Sequence, residues 1–297
     1  MDNRQSARAY ASSHVSAGLL PASIAELTHL NTSDILTAFG VQREWPLRGL
    51  FEILCRPAAH RFAREVVALD QLVGSAGLAV GGAWMVGRWA ERFTVLGDPP
   101  PDGPLLLVAN HPGMLDAMAL FAGIQREDLR VPAITRPFLR CLPHIRSVLI
   151  PVGGQPGERV TALRTAARHM REGGAILTFP AGRIEHDPLI DARAVTDLAH
   201  WSESIGLFAR LGGQVPVVPV IVAGVIAPEA LRHPIVRLRR RPEDQRWLAA
   251  ILQLLRPQLG RVHVRVSFGR PLSSTLPDLA AAVRAEARRL IEGLRQA

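Results

Sequence analysis

Three features of the sequence predict an α/β fold. Short β-prone runs alternate with longer helical runs after Glu91. The run at 104–109 is almost wholly apolar and stops at a turn. Between about residues 21 and 92 the pattern is helical. Together they predict a mixed, largely parallel sheet flanked by helices and preceded by an N-terminal helical segment.

The elements follow in chain order. Residues 1–20 are polar and read as a flexible tail. Arg4 and Arg8 have no apolar core behind them, so no signal peptide opens the chain. Residues 21–92 form the helical segment. Ser33 can cap a short helix through Phe39, 47–56 has apolar residues at helical spacing after Pro46, and 61–72 carries a further amphipathic helix. A Gly/Ala-rich stretch at 72–87 is about 16 residues, short of the ~20 a spanning helix needs. It reads as a buried or membrane-surface helix, with a spanning helix as the alternative. Residues 93–297 form the α/β domain. Strands are expected at 93–97, 104–109, 131–135, 147–152, 174–180, 215–224 and 261–269. Helices are expected near 115–124, 157–172, 194–211, 243–256 and 277–295.

Composition narrows the function. The chain has 297 residues, 48% hydrophobic and 21% charged, as a globular protein with a large core does. It has 35 basic against 26 acidic residues, and no lysine is present. Arginine suits phosphate and carboxylate recognition, and the net charge of +9 favours anionic partners. Nucleic acid is set aside, because no recognised nucleic-acid motif occurs and there is one Tyr. Cys55 and Cys141 have no metal or redox spacing, which fits a reducing cytosol. No G-x-G-x-x-G, Walker or G-x-S-x-G sequence occurs, against nucleotide binding and a serine hydrolase.

The chemistry concentrates at two strand ends. The apolar run 104–109 ends in Asn110-His111-Pro112-Gly113, and Asp116 follows where helical spacing resumes. Such a turn brings the carboxylate back to the imidazole. One ring nitrogen is then held by the acid and the other is left as an acceptor for a hydroxyl or thiol proton. The nearby helix N-terminus offers backbone N–H groups to a developing oxyanion. Taken alone, a histidine in a turn is an ordinary turn residue. A second strand, 174–180, ends in a sharp turn at Pro180-Ala181-Gly182, with Arg183, Glu185 and His186 beyond it. In a parallel sheet both loops stand at the carboxyl ends of strands, where ligands bind.

The pairing of Asn110-His111 and Asp116 with Phe179-Pro180-Ala181-Gly182, some seventy residues later, resembles the glycerolipid acyltransferase family. That family carries N-H-x-x-x-x-D and, downstream, F-P-E-G-T-R. Two further blocks resemble it in order, 134–152 with Arg136 and the late strand at 215–224. The resemblance covers about 93–225. It implies an O-acyltransferase, similar to 1-acylglycerol-3-phosphate acyltransferases, in which His111 is the general base and Asp116 orients it. Arg136, Phe179, Pro180, Gly182, Arg183 and Glu185 are implied on the substrate side. No metal and no cofactor are implied; acyl-CoA or acyl-carrier protein is the co-substrate and a lysolipid the acceptor. A membrane surface is the implied partner and the cytoplasmic face of the membrane the implied location, with the basic cluster Arg237, Arg239, Arg240 and Arg241 available to anionic head groups.

The sequence departs from the family pattern in three places. Ala181 replaces the motif's Glu, Arg183 stands one position early, and Gly153-Gly154 follow the third block where arginine is usual. Glu185 is the candidate replacement acid. The competing readings are a hydrolase using the same dyad with water and a catalytically silent lipid-binding protein.

Overall fold

The computed structural model describes residues 21–134, 136–256 and 262–296. The expected tail at 1–20 and two strand-end residues, 135 and 261, lie outside them. All seven expected strands form: β1 (Arg92–Leu96), β2 (Leu105–Ala109), β3 (Val131–Ile134), β4 (Leu149–Val152), β5 (Ala175–Thr178), β6 (Val217–Ala223) and β7 (His263–Phe268). Five of them make one sheet in the order β1-β7-β6-β2-β5. Every pairing is parallel except β6 with β7. β3 and β4 form a separate parallel pair. A bridge between Arg130 and Ile176 sets that pair beside β5.

β2 shows why its sequence lacks alternation. All five residues are fully buried. Leu105, Leu107 and Ala109 enter one core, and Leu106 and Val108 enter the other. β6 divides in the same way. A strand covered on both faces has no polar side to display. The first core holds α1 (Pro21–Phe39), α2 (Arg48–Ala76), α3 (Leu78–Trp89), α4 (Asp116–Ile124) and α6 (Pro242–Leu255). The second holds α5 (Pro156–Arg171) and α7 (Leu279–Gln296).

Three expectations need correction. Ser33 caps nothing, because α1 runs straight through it. The helices expected at 47–56 and 61–72 are one helix, α2, which continues through Pro57. The helix expected at 194–211 is broken: a turn at Ala194–Asp197, a 3₁₀ turn at Leu198–His200 and a helix at Ile205–Leu211. The break leaves Trp201 extended and buried.

The Gly/Ala-rich stretch is a crossing point between helices. It is divided at Gly77 between α2 and α3. A Cβ at Gly82 would lie 2.6 Å from the Met118 carbonyl of α4, so the small residues let the two backbones approach. Asp70, polar at the head of this stretch, is buried and accepts the Ile145 N–H at 2.8 Å. Among the described residues no helix is long and apolar enough to cross a membrane.

Candidate active site

β2, β5 and β6 run parallel, so their carboxyl ends share one edge of the sheet. Asn110 lets the chain leave β2 there without losing register. Its Oδ1 accepts the Val222 N–H at 2.7 Å and its Nδ2 donates to the Val222 carbonyl at 2.8 Å. The side-chain amide thus copies one more ladder rung while the backbone turns away.

His111 stands at that turn. Its Nδ1 is 2.7 Å from Asp116 Oδ2. Asp116 is the first residue of α4 and is 1% exposed. Its Oδ2 also accepts the Gly113 N–H at 2.9 Å, and its Oδ1 the Ala117 N–H at 2.6 Å. A carboxylate so held is aimed at the ring. Two N–H groups near the helix N-terminus, those of Gly113 and Ala117, serve Asp116 and are not free to face a substrate. With Nδ1 donating to the acid, Nε2 is the acceptor, and it meets no hydrogen-bond partner among the described residues. The Asp116 charge is the largest cause that raises the ring's pKa. Burial opposes it, Glu185 adds to it, and Arg136 lowers it.

The second loop packs beneath the first. The Phe179 ring centroid lies 4.9 Å from that of His111, tilted by 38°. Gly182, at φ +62°, closes the turn by donating its N–H to the Phe179 carbonyl at 3.1 Å. The Pro180 carbonyl accepts the Ser202 N–H at 3.3 Å. The next three polar residues each tie the loop to a different element. Glu185 Oε2 accepts the His111 backbone N–H and its Oε1 the Trp201 indole N–H, both at 2.8 Å. Its own N–H donates back to the His111 carbonyl at 2.8 Å. His186 Nδ1 lies 2.7 Å from Asp197 Oδ2. Asp187 accepts the N–H groups of Leu189, Gly224, Val225 and Ile226, which ties the loop to the end of β6.

Glu185 is therefore not on the substrate-facing side where the resemblance put it. It is 2% exposed with both oxygens engaged, so it positions His111. Burial pushes its pKa up to about 7 against the bonds from Trp201 and His111. Arg183 is exposed and reaches Asp197 at 3.5 Å. Arg136 is exposed at the start of a short helical turn and acts on His111 through its field alone. Arg159 and Arg164 are exposed on α5. Sequence reasoning missed Trp201, Asp197 and Arg246. His186 and Asp187 stood in the second block, but nothing in their spacing announced their partners.

An apolar cavity of about 180 Å³ opens beside the dyad. Its wall includes Met114 and Leu115 from the loop between His111 and Asp116, Met118 from α4, Phe62 from α2 and Trp89 from α3. Met114 is 44% exposed, so the cavity wall reaches solvent within the segment between His111 and Asp116.

The acyltransferase family model matches residues 92–223. The matched span contains β1 to β6, both motif loops and their ties. A similar solved structure is the 1-acyl-sn-glycerophosphate (LPA) acyltransferase PlsC from Thermotoga maritima, at 16% identity and a TM-score of 0.48, covering 93% of this chain and 94% of that one. No curated protein matches the sequence significantly. Residues 92–223 match the acyltransferase family model, in agreement with the resemblance read from the four blocks.

Proposed function

We propose that the protein transfers a fatty acyl group from acyl-CoA or acyl-carrier protein to a hydroxyl of a lysophospholipid or related lipid. The observation that carries this reading is the His111–Asp116 pair, whose Nε2 has no hydrogen-bond partner among the described residues and whose intervening loop residues Met114 and Leu115 line an apolar cavity. Nε2 takes the proton of the acceptor hydroxyl as its oxygen attacks the thioester carbonyl. The tetrahedral centre collapses, the carbon–sulfur bond breaks, and the imidazolium returns its proton to the departing thiolate. Asp116 steadies the cation that forms between these steps. Glu185 and Trp201 hold the backbone of the base in place. The cavity suits an alkyl chain, and its wall of Phe, Trp and Met side chains keeps water from the carbon beside the thioester.

A lipid acceptor requires contact with a bilayer. Trp45, Leu47, Leu50, Ile53 and Leu54 are 49–70% exposed around the start of α2. Arg239 packs against Gly40 in the same corner, with Arg237, Arg240 and Arg241 exposed beside it. Apolar side chains rimmed by arginines suit the interface of an anionic membrane. This reading places the protein peripherally on the cytoplasmic face, with 21–92 as the membrane-facing segment and 93–297 as the catalytic domain.

The test is direct. Purified protein is incubated with labelled acyl-CoA or acyl-carrier protein and mixed lysolipids in vesicles. Label should move into diacyl lipid, and His111→Ala should stop it. Label in free fatty acid would make the protein a hydrolase, and label in neither product would leave a lipid-binding protein.

A further inference from the structure

Arg246 is a buried cation that the proposed reaction does not use. It lies on α6, 8% exposed. Its Nη1 donates to His186 Nε2 at 2.8 Å, and its nearest carboxylate, Glu243, is 3.9 Å away on an exposed side chain. Its Nε is buried with no hydrogen-bond partner. Burial is the main influence on this guanidinium and lowers its pKa.

The neighbouring charges are already matched. Asp197 Oδ2 receives both the backbone N–H and Nδ1 of His186, and its Oδ1 faces Arg183. Asp191 is held by Arg193 through its side chain and backbone. Arg246 is the one cation of this cluster with no hydrogen bond to a carboxylate. An uncompensated buried charge is strongly destabilising, and a planar fork of donors is built for a bidentate anion.

Its position relates it to the substrates. Arg246, Ala250 and Leu254 recur at intervals of four on one face of α6. Ala250 and Leu254 line the apolar cavity. His186, which holds the guanidinium, directly follows Glu185, which holds His111. The fork therefore stands between the second motif loop and the cavity wall.

We propose that Arg246, held in place by His186, forms a subsite for the phosphate group of a substrate, and specifically of the acceptor's head group. This rests on the transferase reading above and names its acceptor as a phosphate-bearing lysolipid. It supplies the anion contact that Gly153-Gly154 do not offer in the third block. The donor's phosphates have the same chemistry, so the experiment separates the two sources.

Kinetics of wild type and Arg246→Gln are compared with a lysophosphatidate-type acceptor and with a monoacylglycerol, each with acyl-CoA and with an acyl-N-acetylcysteamine thioester that lacks phosphate. The preference for the phosphate-bearing acceptor, as a ratio of kcat/KM values, should fall at least tenfold through KM. Arg246→Lys, which keeps charge but not the fork, should recover part of it. A loss seen only as preference for acyl-CoA over the truncated thioester overturns it, because the phosphate bound is then the donor's. Equal losses with all four pairs, or none with any, overturn it. Melting with inorganic phosphate gives an independent reading: phosphate should raise the Tm of the wild type and not that of Arg246→Gln. An equal rise in both, or none in the wild type, also overturns it. If wild type acylates no acceptor, the transferase reading fails and the melting shift still decides the subsite.

Discussion

Two aspartate–histidine pairs lie within one loop of each other and do different work. In each, Nδ1 is 2.7 Å from a buried carboxylate oxygen. His111 keeps 35% of its side-chain surface and presents Nε2 to nothing; His186 keeps 14% and its Nε2 is covered by Arg246. What meets the second nitrogen, not the carboxylate, decides whether such a pair can move a proton. The largest expected effect tests this contrast. His111→Ala should lower the transfer rate by at least about 10³-fold, within the range for a lost general base, while the half-exposed ring's removal leaves the fold intact by circular dichroism. His186→Ala should leave the chemical step, read in a single-turnover assay, far less affected and should lower Tm instead. An equal rate loss in the two variants would break the comparison.

Asp116→Asn sharpens it. The amide removes the charge and permits the wrong tautomer, so a fall of about 10²-fold or more is expected. The acid must also move the pH profile. The base works when neutral, so activity falls as pH drops through the raised pKa of His111. Without the Asp116 charge that limb should shift to lower pH. Stability runs the other way. A histidine whose folded pKa is raised contributes stability that is present below about 6.5, its unfolded value, and is lost as pH rises through the folded value. Rate and Tm measured across the same pH range should therefore slope in opposite directions where His111 titrates.

Glu185 is the next smaller step. Gln has one acceptor oxygen where Glu185 receives two N–H donors, from His111 and Trp201. Glu185→Gln should therefore misplace the base and lower kcat about tenfold, a disturbance of the size of one hydrogen bond, with KM for both substrates near the wild-type value. The carboxyl titrates at about 7. In the wild type its protonation should add to that of His111 and steepen the acid limb, and Glu185→Gln should restore a single-proton slope.

The two pairs were not equally legible. Asn110, His111 and Asp116 fall within seven residues, and the buried run before them fixes the strand end. Local spacing therefore carried the dyad. His186 and Asp197 are eleven residues apart across an irregular segment, and Arg246 arrives sixty residues later on another helix. Only the folded sheet brings them together. The same division holds for the fold. β2 and β6 were plain in sequence because strands buried on both faces are continuously apolar. The break before Trp201 was hidden, because 194–211 keeps a helical spacing that the tie from Trp201 to Glu185 overrides. The 72–87 stretch was ambiguous for a physical reason: small apolar residues suit a lipid surface and a close helix crossing alike, and Gly82 against α4 shows the crossing.

The smallest effect concerns the outer edge of the second pair. Arg193 is 63% exposed and bonds Asp191, whose Oδ2 is 3.9 Å from His186 Nε2. An exposed pair of this kind is screened by solvent and contributes about 0–1 kcal/mol. If Asp197 and Arg246 hold His186, as the 2.7 and 2.8 Å contacts require, Asp191 is a bystander at its distance. Arg193→Ala should then change stability by less than about 1 kcal/mol, with kcat and its pH profile unmoved. Chemical denaturation and a pH–rate series check this together. A shift in the profile would show that the second histidine answers to the surface, and the separation drawn between a pair with a free Nε2 and one whose Nε2 is covered by Arg246 would have to be given up.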